Sequence, residues 1–236
     1  MKEIHVTLSE RIKRTSTIES FRFKSDERAE FLPGQFLQLI LDQENRNNSD
    51  LNKYLSFSSA PNKDYFEVTK RISDSKFSQT LNKFKIGDSI LIKASMGNCV
   101  FKDEYPKIGF LIGGIGITPV ISILEYIMSK KLDTDVWLLY SNKTEKDTAF
   151  KAQIDNWSQE NPKIKLAYIF TDCVSKDNKC FSGKINQQFI RDNVSDFKQR
   201  IFFIFGSPNM VAAMKNICLE IGCNEDMVRV ENFIGY

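Results

Sequence analysis

The sequence predicts two domains: an antiparallel β-barrel over residues 1–103 and, over residues 104–236, an α/β domain built on a five-stranded parallel sheet. Two changes of rhythm carry this reading. Up to about residue 103, apolar residues fall in short alternating runs separated by turn pairs, as in an antiparallel all-β unit. After Pro106, strand-like runs alternate with helix-length runs, which requires crossover connections and hence parallel strands. A chain of 236 residues is long enough for two modest domains, and an apolar fraction of 42% is that of an ordinary globular protein.

In the first half, strands are expected at Ile4–Leu8, Thr17–Phe23, Gln35–Leu41, Tyr65–Arg71 and Ser89–Lys93, with another strand-like run from Lys53 to Pro61. Pro33-Gly34, Gly87-Asp88 and Gly97-Asn98 supply turns, and Asn45–Asp50 is the most loop-like stretch. One segment leaves the two-residue period. Phe77, Leu81 and Phe84 recur at helical spacing behind a serine, predicting a short helix that caps an end of the barrel. In the second half, strands are expected at Ile108–Ile112, Asp135–Tyr140, Lys165–Phe170, Arg200–Phe205 and Met227–Val230. Helices are expected near Pro119–Ser129, Thr148–Ser158, Asn186–Asn193 and Pro208–Ile221.

The segment Phe110–Ile121 runs an apolar strand into a glycine turn and then into an apolar helix. Gly113, Gly114 and Gly116 let the main chain approach a ligand closely, and Pro119 has the dihedral of a first helical turn. Unpaired amides at such a start favour an anion. Pro119 stands where the usual dinucleotide fingerprint has its third glycine, so a standard dehydrogenase is not indicated. The loop Phe205–Met210 follows the fourth strand and should open on the same edge as the glycine turn, where parallel sheets bind ligands. Asp74–Leu81 places hydroxyls and amides at a second helix start, in the other domain. Two phosphate cradles on two domains suggest two dinucleotides.

Other chemistries lack raw material. His5 is the single histidine, which leaves nothing for a histidine metal cluster or a Ser-His-Asp triad, so reactivity needs a borrowed cofactor. Cys99, Cys173, Cys180, Cys218 and Cys223 fit neither zinc nor iron–sulfur spacings, so no metal is expected and the thiols read as buried and inert. Residues 1–103 hold 17 Lys and Arg against 14 Asp and Glu, and residues 104–236 hold 16 against 16, which does not indicate nucleic acid binding. The charge-free run from Ile108 to Leu124 is broken by three glycines and a proline, so no membrane span is expected. The N-terminus alternates like a strand and lacks a signal-peptide core, which predicts a cytoplasmic protein.

Seven segments in order, Pro33–Phe36, Lys53–Ser56, Ser75–Ser78, Gly87-Asp88, Gly113–Pro119, Gly206–Met210 and Glu231–Phe233, resemble the ferredoxin-NADP reductase family of flavoproteins over nearly the whole chain. The resemblance implies an FAD-binding barrel, an NAD(P)-binding α/β domain, and hydride transfer from NADH or NADPH to flavin. The electrons would pass on to a small acidic protein such as ferredoxin or flavodoxin. It implies cofactor contacts along Lys53, Tyr54, Leu55, Ser56 and Phe57, with the Ser56 hydroxyl near flavin N5 and the Leu55 side chain on the flavin face. Tyr54 and Phe57 are expected on the other side of that strand. Lys53, Lys76, Phe77 and Ser78 would meet the flavin pyrophosphate, and the backbone of Thr69, Lys70 and Arg71 the ring edge.

For NAD(P)H the resemblance implies Gly113, Gly114, Gly116, Thr118, Pro119, Gly206, Ser207, Pro208 and Met210, with Glu231 beside the nicotinamide and Phe233 or Tyr236 covering the flavin. Ser141, Lys143 and Lys184 are candidates for the adenosine end, the lysines for a 2′-phosphate. The chain departs from the family in carrying Lys53 for arginine, Leu55 for the stacking tyrosine, Ser75 for glycine and Phe205 for cysteine. FMN in place of FAD stays open, as do an electron-transfer subunit of a larger complex and a non-catalytic nucleotide sensor.

Overall fold

The computed structural model describes residues 2–27, 30–172 and 180–233. It divides into two units, Met1–Phe101 with Thr118–Tyr126, and Lys102–Ile117 with Ile127–Tyr236.

The first unit contains β1 (Lys2–Lys13), β2 (Ile18–Lys24), β3 (Phe36–Ile40), β4 (Asn52–Ser56), β5 (Phe66–Arg71), helix α1 (Lys76–Asn82) and β6 (Ser89–Met96). The strands lie in the order β4-β3-β6-β1-β2-β5, and each adjacent pair is antiparallel. The two outer strands meet through an antiparallel bridge between Phe57 and Val68, and the Ser58 N–H donates to Glu67 O at 2.7 Å. That contact brings the sheet round into a near-barrel. Phe77 and Leu81 of α1 are fully buried within its core, so the short helix fills the barrel with the face its spacing predicts.

Side-chain direction in β4 differs from expectation. Phe57 shares its parity with Leu55, and both belong to the barrel core: Phe57 stacks on Phe31 with ring centroids 3.7 Å apart and meets Phe66 edge-on at 5.8 Å. Tyr54 points the other way, 59% exposed, with Phe36 edge-on to it. Residues three apart on a strand lie on opposite faces, so Tyr54 and Phe57 do not share one.

A buried carboxylate ties β5 to β2 and to the turn that follows β1. Glu67, 2% exposed, accepts from Arg14 Nη2 at 2.9 Å and from Arg22 Nε at 2.8 Å. Beside it the hydroxyls of Ser20, Thr69 and Ser58 form a chain with 2.7 Å links. Two guanidinium partners are what a carboxylate at this depth requires.

The second unit contains β7 (Lys107–Gly113), the first residue of α2 (Ile117–Lys130) and its C-terminal turn, β8 (Asp135–Asn142), α3 (Lys151–Glu160), β9 (Ile164–Phe170), β10 (Cys180–Ser182), α4 (Gln187–Asn193), β11 (Ile201–Gly206), α5 (Pro208–Glu220) and β12 (Val228–Asn232). Its sheet has six parallel strands in the order β10-β9-β8-β7-β11-β12, one more than expected. The additional strand, β10, is three residues long, too short for periodicity to reveal. Helix α3 starts at Lys151 rather than Thr148, because Thr148 is extended and Phe150, just before the helix, is left-handed at φ +62°.

Arg200, 1% exposed just before β11, uses every donor of its guanidinium. Nη1 donates to the carbonyls of Ile108 (3.0 Å) and Asp135 (3.1 Å), Nε to Asp196 (2.6 Å), and Nη2 to both carboxylates. It therefore pins the N-terminal ends of β7, β8 and β11 together. Arg200→Met should lower stability by about 3 kcal/mol, because the Ile108 and Asp135 carbonyls lose this donor and the Asp135 and Asp196 carboxylates keep only Lys165 and Lys107. Urea unfolding measures this, and a loss below about 1 kcal/mol would be that of a surface pair.

Candidate functional site

Among the cations of the first unit that make no ion pair, two are neighbours and one of these is buried. Lys53 on β4 and Lys70 on β5 make no ion pair among the described residues, although Lys70 is only 8% exposed. Burial holds the Lys70 ammonium below the ordinary lysine range, and repulsion from Lys53 lowers it further. Its ring partner is Phe77, whose centroid lies 5.5 Å from Nζ. Two neighbouring ammonium groups, one of them desolvated, form a site that an anion would neutralise.

The start of α1 is more self-satisfied than the sequence suggests. The Ser75 hydroxyl accepts from the Ser78 N–H at 3.3 Å, and the buried Ser78 hydroxyl is engaged with Ser73 and Ser75. Lys76 reaches outward to Asp50 at 3.3 Å, and Phe77 packs its ring inward. Only main chain at this turn remains for a ligand.

On β5 the Thr69 hydroxyl is spent on Ser20 and Ser58, and Arg71 donates to Thr17 Oγ1 at 3.0 Å. The other edge of β5 has no ladder partner beyond Val68 among the described residues, which leaves the Thr69–Arg71 main chain available. Ser56, 7% exposed, closes β4 opposite Phe36.

In the second unit the chain reverses its winding between β7 and β11, the switch point where open parallel sheets bind ligands. The two glycine loops leave these strands side by side. A Cβ on Gly116 would lie 2.2 Å from Phe205 O, so only glycine lets the turn before α2 pass the end of β11. The Met210 side chain spans both loops, with its Sδ 3.7 Å from a Cβ built on Gly113 and 2.9 Å from one on Gly206. Gly114 O accepts from the Tyr140 hydroxyl at 3.0 Å, which ties the turn to β8. Pro119 is buried in the first turn of α2, and Thr118 beside it is 2% exposed.

At the start of α5, Ser207 and Pro208 are exposed and the serine makes no capping bond. The amides of this turn point to where an anion is favoured. Phe233 N–H donates to Gly206 O at 2.8 Å, which anchors the chain after β12 to this loop; Tyr236 lies outside the described residues. Glu231 pairs in register with Phe205, and burial pushes its carboxyl up to about 7.

At the far side of the same edge, β8 runs on through Asn142, so Ser141 is a strand residue and not part of the loop; Lys143 follows β8, and Lys184 follows β10, two strands away. Both lysines are exposed. Sequence reasoning missed Asn142 between them: its Nδ2 is buried without a hydrogen-bond partner among the described residues, a donor a ligand would satisfy. Its position between two candidates was the available signal.

An anion site on a barrel and a glycine-lined switch point on a parallel sheet are the two parts of a flavin and pyridine-nucleotide oxidoreductase. Residues 4–101 match the oxidoreductase FAD-binding domain and residues 110–216 the oxidoreductase NAD-binding domain. The chain belongs to the ferredoxin-NADP reductase-like flavoproteins, a family of FAD- and NAD(P)-binding oxidoreductases. It is 24% identical over 234 residues to a flavohemoprotein of Bacillus subtilis, covering 96% of this chain and 58% of that protein. It is 28% identical over 179 residues to NADH-cytochrome b5 reductase 1 of Dictyostelium discoideum, covering 74% and 62%. The chain thus spans about three fifths of the length of these relatives. Its fold matches a ferredoxin NADP+ reductase from Neisseria gonorrhoeae with bound FAD and NADP, at a TM-score of 0.82 and 21% identity over 99% of this chain and 100% of that one.

The raised carboxyl of Glu231 has a stability signature. The unfolded carboxyl gives up its proton near 4.5 and the folded one near 7, so this group makes stability fall as pH rises through that window, with its full penalty above it. Glu231→Gln should flatten the slope, giving a smaller loss between pH 5 and pH 8 in urea unfolding. An unchanged slope would show that the carboxyl titrates as it does in water.

Proposed function

We propose that this chain is an NAD(P)H-dependent flavin reductase, in which residues 1–103 hold FAD, residues 104–236 hold the nicotinamide cofactor, and electrons leave to a one-electron acceptor protein. The observation that carries this reading is the Lys53–Lys70 pair, cations left unneutralised beside a barrel that neutralises its other buried charge, Glu67, twice over. When bound, the two cofactors supply a hydride at nicotinamide C4 and an acceptor at flavin N5.

The protein's part is to bind and orient. Lys53 and Lys70 neutralise the flavin pyrophosphate as point charges, without the fork an arginine would offer. The Thr69–Arg71 main chain takes the ring edge, and Ser56 offers a hydroxyl to the reacting ring. Gly113, Gly114, Gly116 and the Gly206–Met210 loop admit the nicotinamide cofactor's pyrophosphate, and Asn142, Lys143 and Lys184 receive its adenosine end. Glu231, poised near neutrality, holds or releases a proton beside the nicotinamide. The relatives named above include haem-linked reductases, and the acceptor proposed here is a small acidic carrier of the ferredoxin or flavodoxin class.

Purified protein loaded with FAD should be yellow and bleach anaerobically on adding NADH or NADPH, and should then reduce a ferredoxin. Bleaching with reduction of cytochrome b5 alone would retain the reductase and replace the acceptor. A colourless protein that takes up no FAD would overturn the reading in favour of a sensor.

Lys70→Met separates cofactor binding from folding. Removing a desolvated charge should leave the apo protein as stable or more so, while FAD affinity falls by about tenfold, roughly 1.4 kcal/mol. Equal FAD affinity in apo-protein titrations would remove Lys70 from the site. Lys143→Glu and Lys184→Glu should each raise KM for NADPH more than for NADH; equal changes would reject contact with a 2′-phosphate.

A further inference from the structure

Helix α5 ends in a turn that places two cysteines against each other. Ile221 caps the helix and Gly222 follows at φ +92°. The Gly222 N–H donates to Leu219 O at 3.0 Å and the Cys223 N–H to Cys218 O at 2.9 Å. This is the Schellman arrangement, in which the side chain before the last turn touches the one just beyond the cap. An apolar pair ordinarily makes that contact, and here it is Cys218 and Cys223. The 2.9 Å backbone bond keeps their Cα atoms within the roughly 4–7 Å that a disulfide spans. Their thiols are hydrogen-bonded, and Cys223 Sγ donates onward to Phe197 O at 3.8 Å.

We propose that Cys218 and Cys223 are a reversible dithiol–disulfide site that takes a low-molecular-weight disulfide as its oxidant. The two sulfurs are unequal. The hydrogen bond from Cys218 holds the Cys223 thiol below the ordinary range, and Lys198, packed over Gly222, adds to this. Cys218, fully buried, is pushed up by the same hydrogen bond and by burial. Cys223 is 7% exposed where Cys218 is fully buried, so it is the sulfur nearer the surface and the attacking group, and Cys218 is the resolving one.

Cys223 loses its proton and attacks one sulfur of RSSR. A Cys223–SR bond forms, the RS–SR bond breaks, and the departing RS⁻ takes up a proton. Cys218 then loses its proton and attacks Cys223 Sγ, forming the internal disulfide and expelling the second RS⁻, which is protonated in turn. Two protein thiols are oxidised by two electrons and one RSSR is reduced to two RSH. The product closes the end of α5 onto the turn leading to β12.

The test uses the full chain, incubated with oxidised glutathione, alkylated and digested with trypsin. Residues 216–229 form one tryptic peptide that holds both cysteines and no other. The expected peptide carries no alkyl group, is lighter by two hydrogen atoms, and regains two alkylatable thiols after dithiothreitol. Cys218→Ser should instead retain a stable glutathione adduct on Cys223. A wild-type peptide that stays doubly alkylated while the half-buried Cys180 is modified, or one carrying two glutathiones, would overturn the proposal.

Discussion

The missing side chain at Gly116 is the constraint on which the nucleotide-binding half depends. Any Cβ there would collide with the carbonyl of Phe205, so the turn after β7 and the end of β11 touch backbone to backbone. That approach brings the two loops to one place, lets Met210 lie across both, and sets Glu231 and Phe233 of the neighbouring strand beside them. Arg200 holds the opposite end of β7, β8 and β11, so register is secured at both ends of the sheet.

The barrel shows a division of labour in its charges. Glu67 is buried with two arginines and a hydroxyl chain, and the cost of desolvating it is offset within the fold. Lys70 is buried with an aromatic ring and a second lysine nearby, and its cost is not offset. The fold thus neutralises one buried charge thoroughly and leaves the other facing repulsion.

Much of the architecture was legible because periodicity reports which face of an element is buried. The barrel strands, the parallel strands and the glycine turn follow from alternation, strand–helix rhythm and the Gly113–Pro119 spacing. What periodicity misreads is local. Three-residue β10 carries too little pattern, α3 is delayed by the left-handed backbone of Phe150, and the facing of Phe57 follows from a parity that the hydroxyl-rich run obscured.

The sequence by itself determined the two-domain plan, the glycine turn between the first parallel strand and its helix, and the order of the candidate residues, because these depend on neighbours along the chain. Tertiary structure decided which candidates are still available. It spent Phe57, Ser78 and the Thr69 hydroxyl on packing and internal hydrogen bonds, raised the Glu231 carboxyl to about 7, and, among the described residues, left Lys53 and Lys70 without ion pairs and the buried Asn142 Nδ2 without an acceptor. The physical reason is that burial and pairing are set by groups distant in the chain, which no local pattern records.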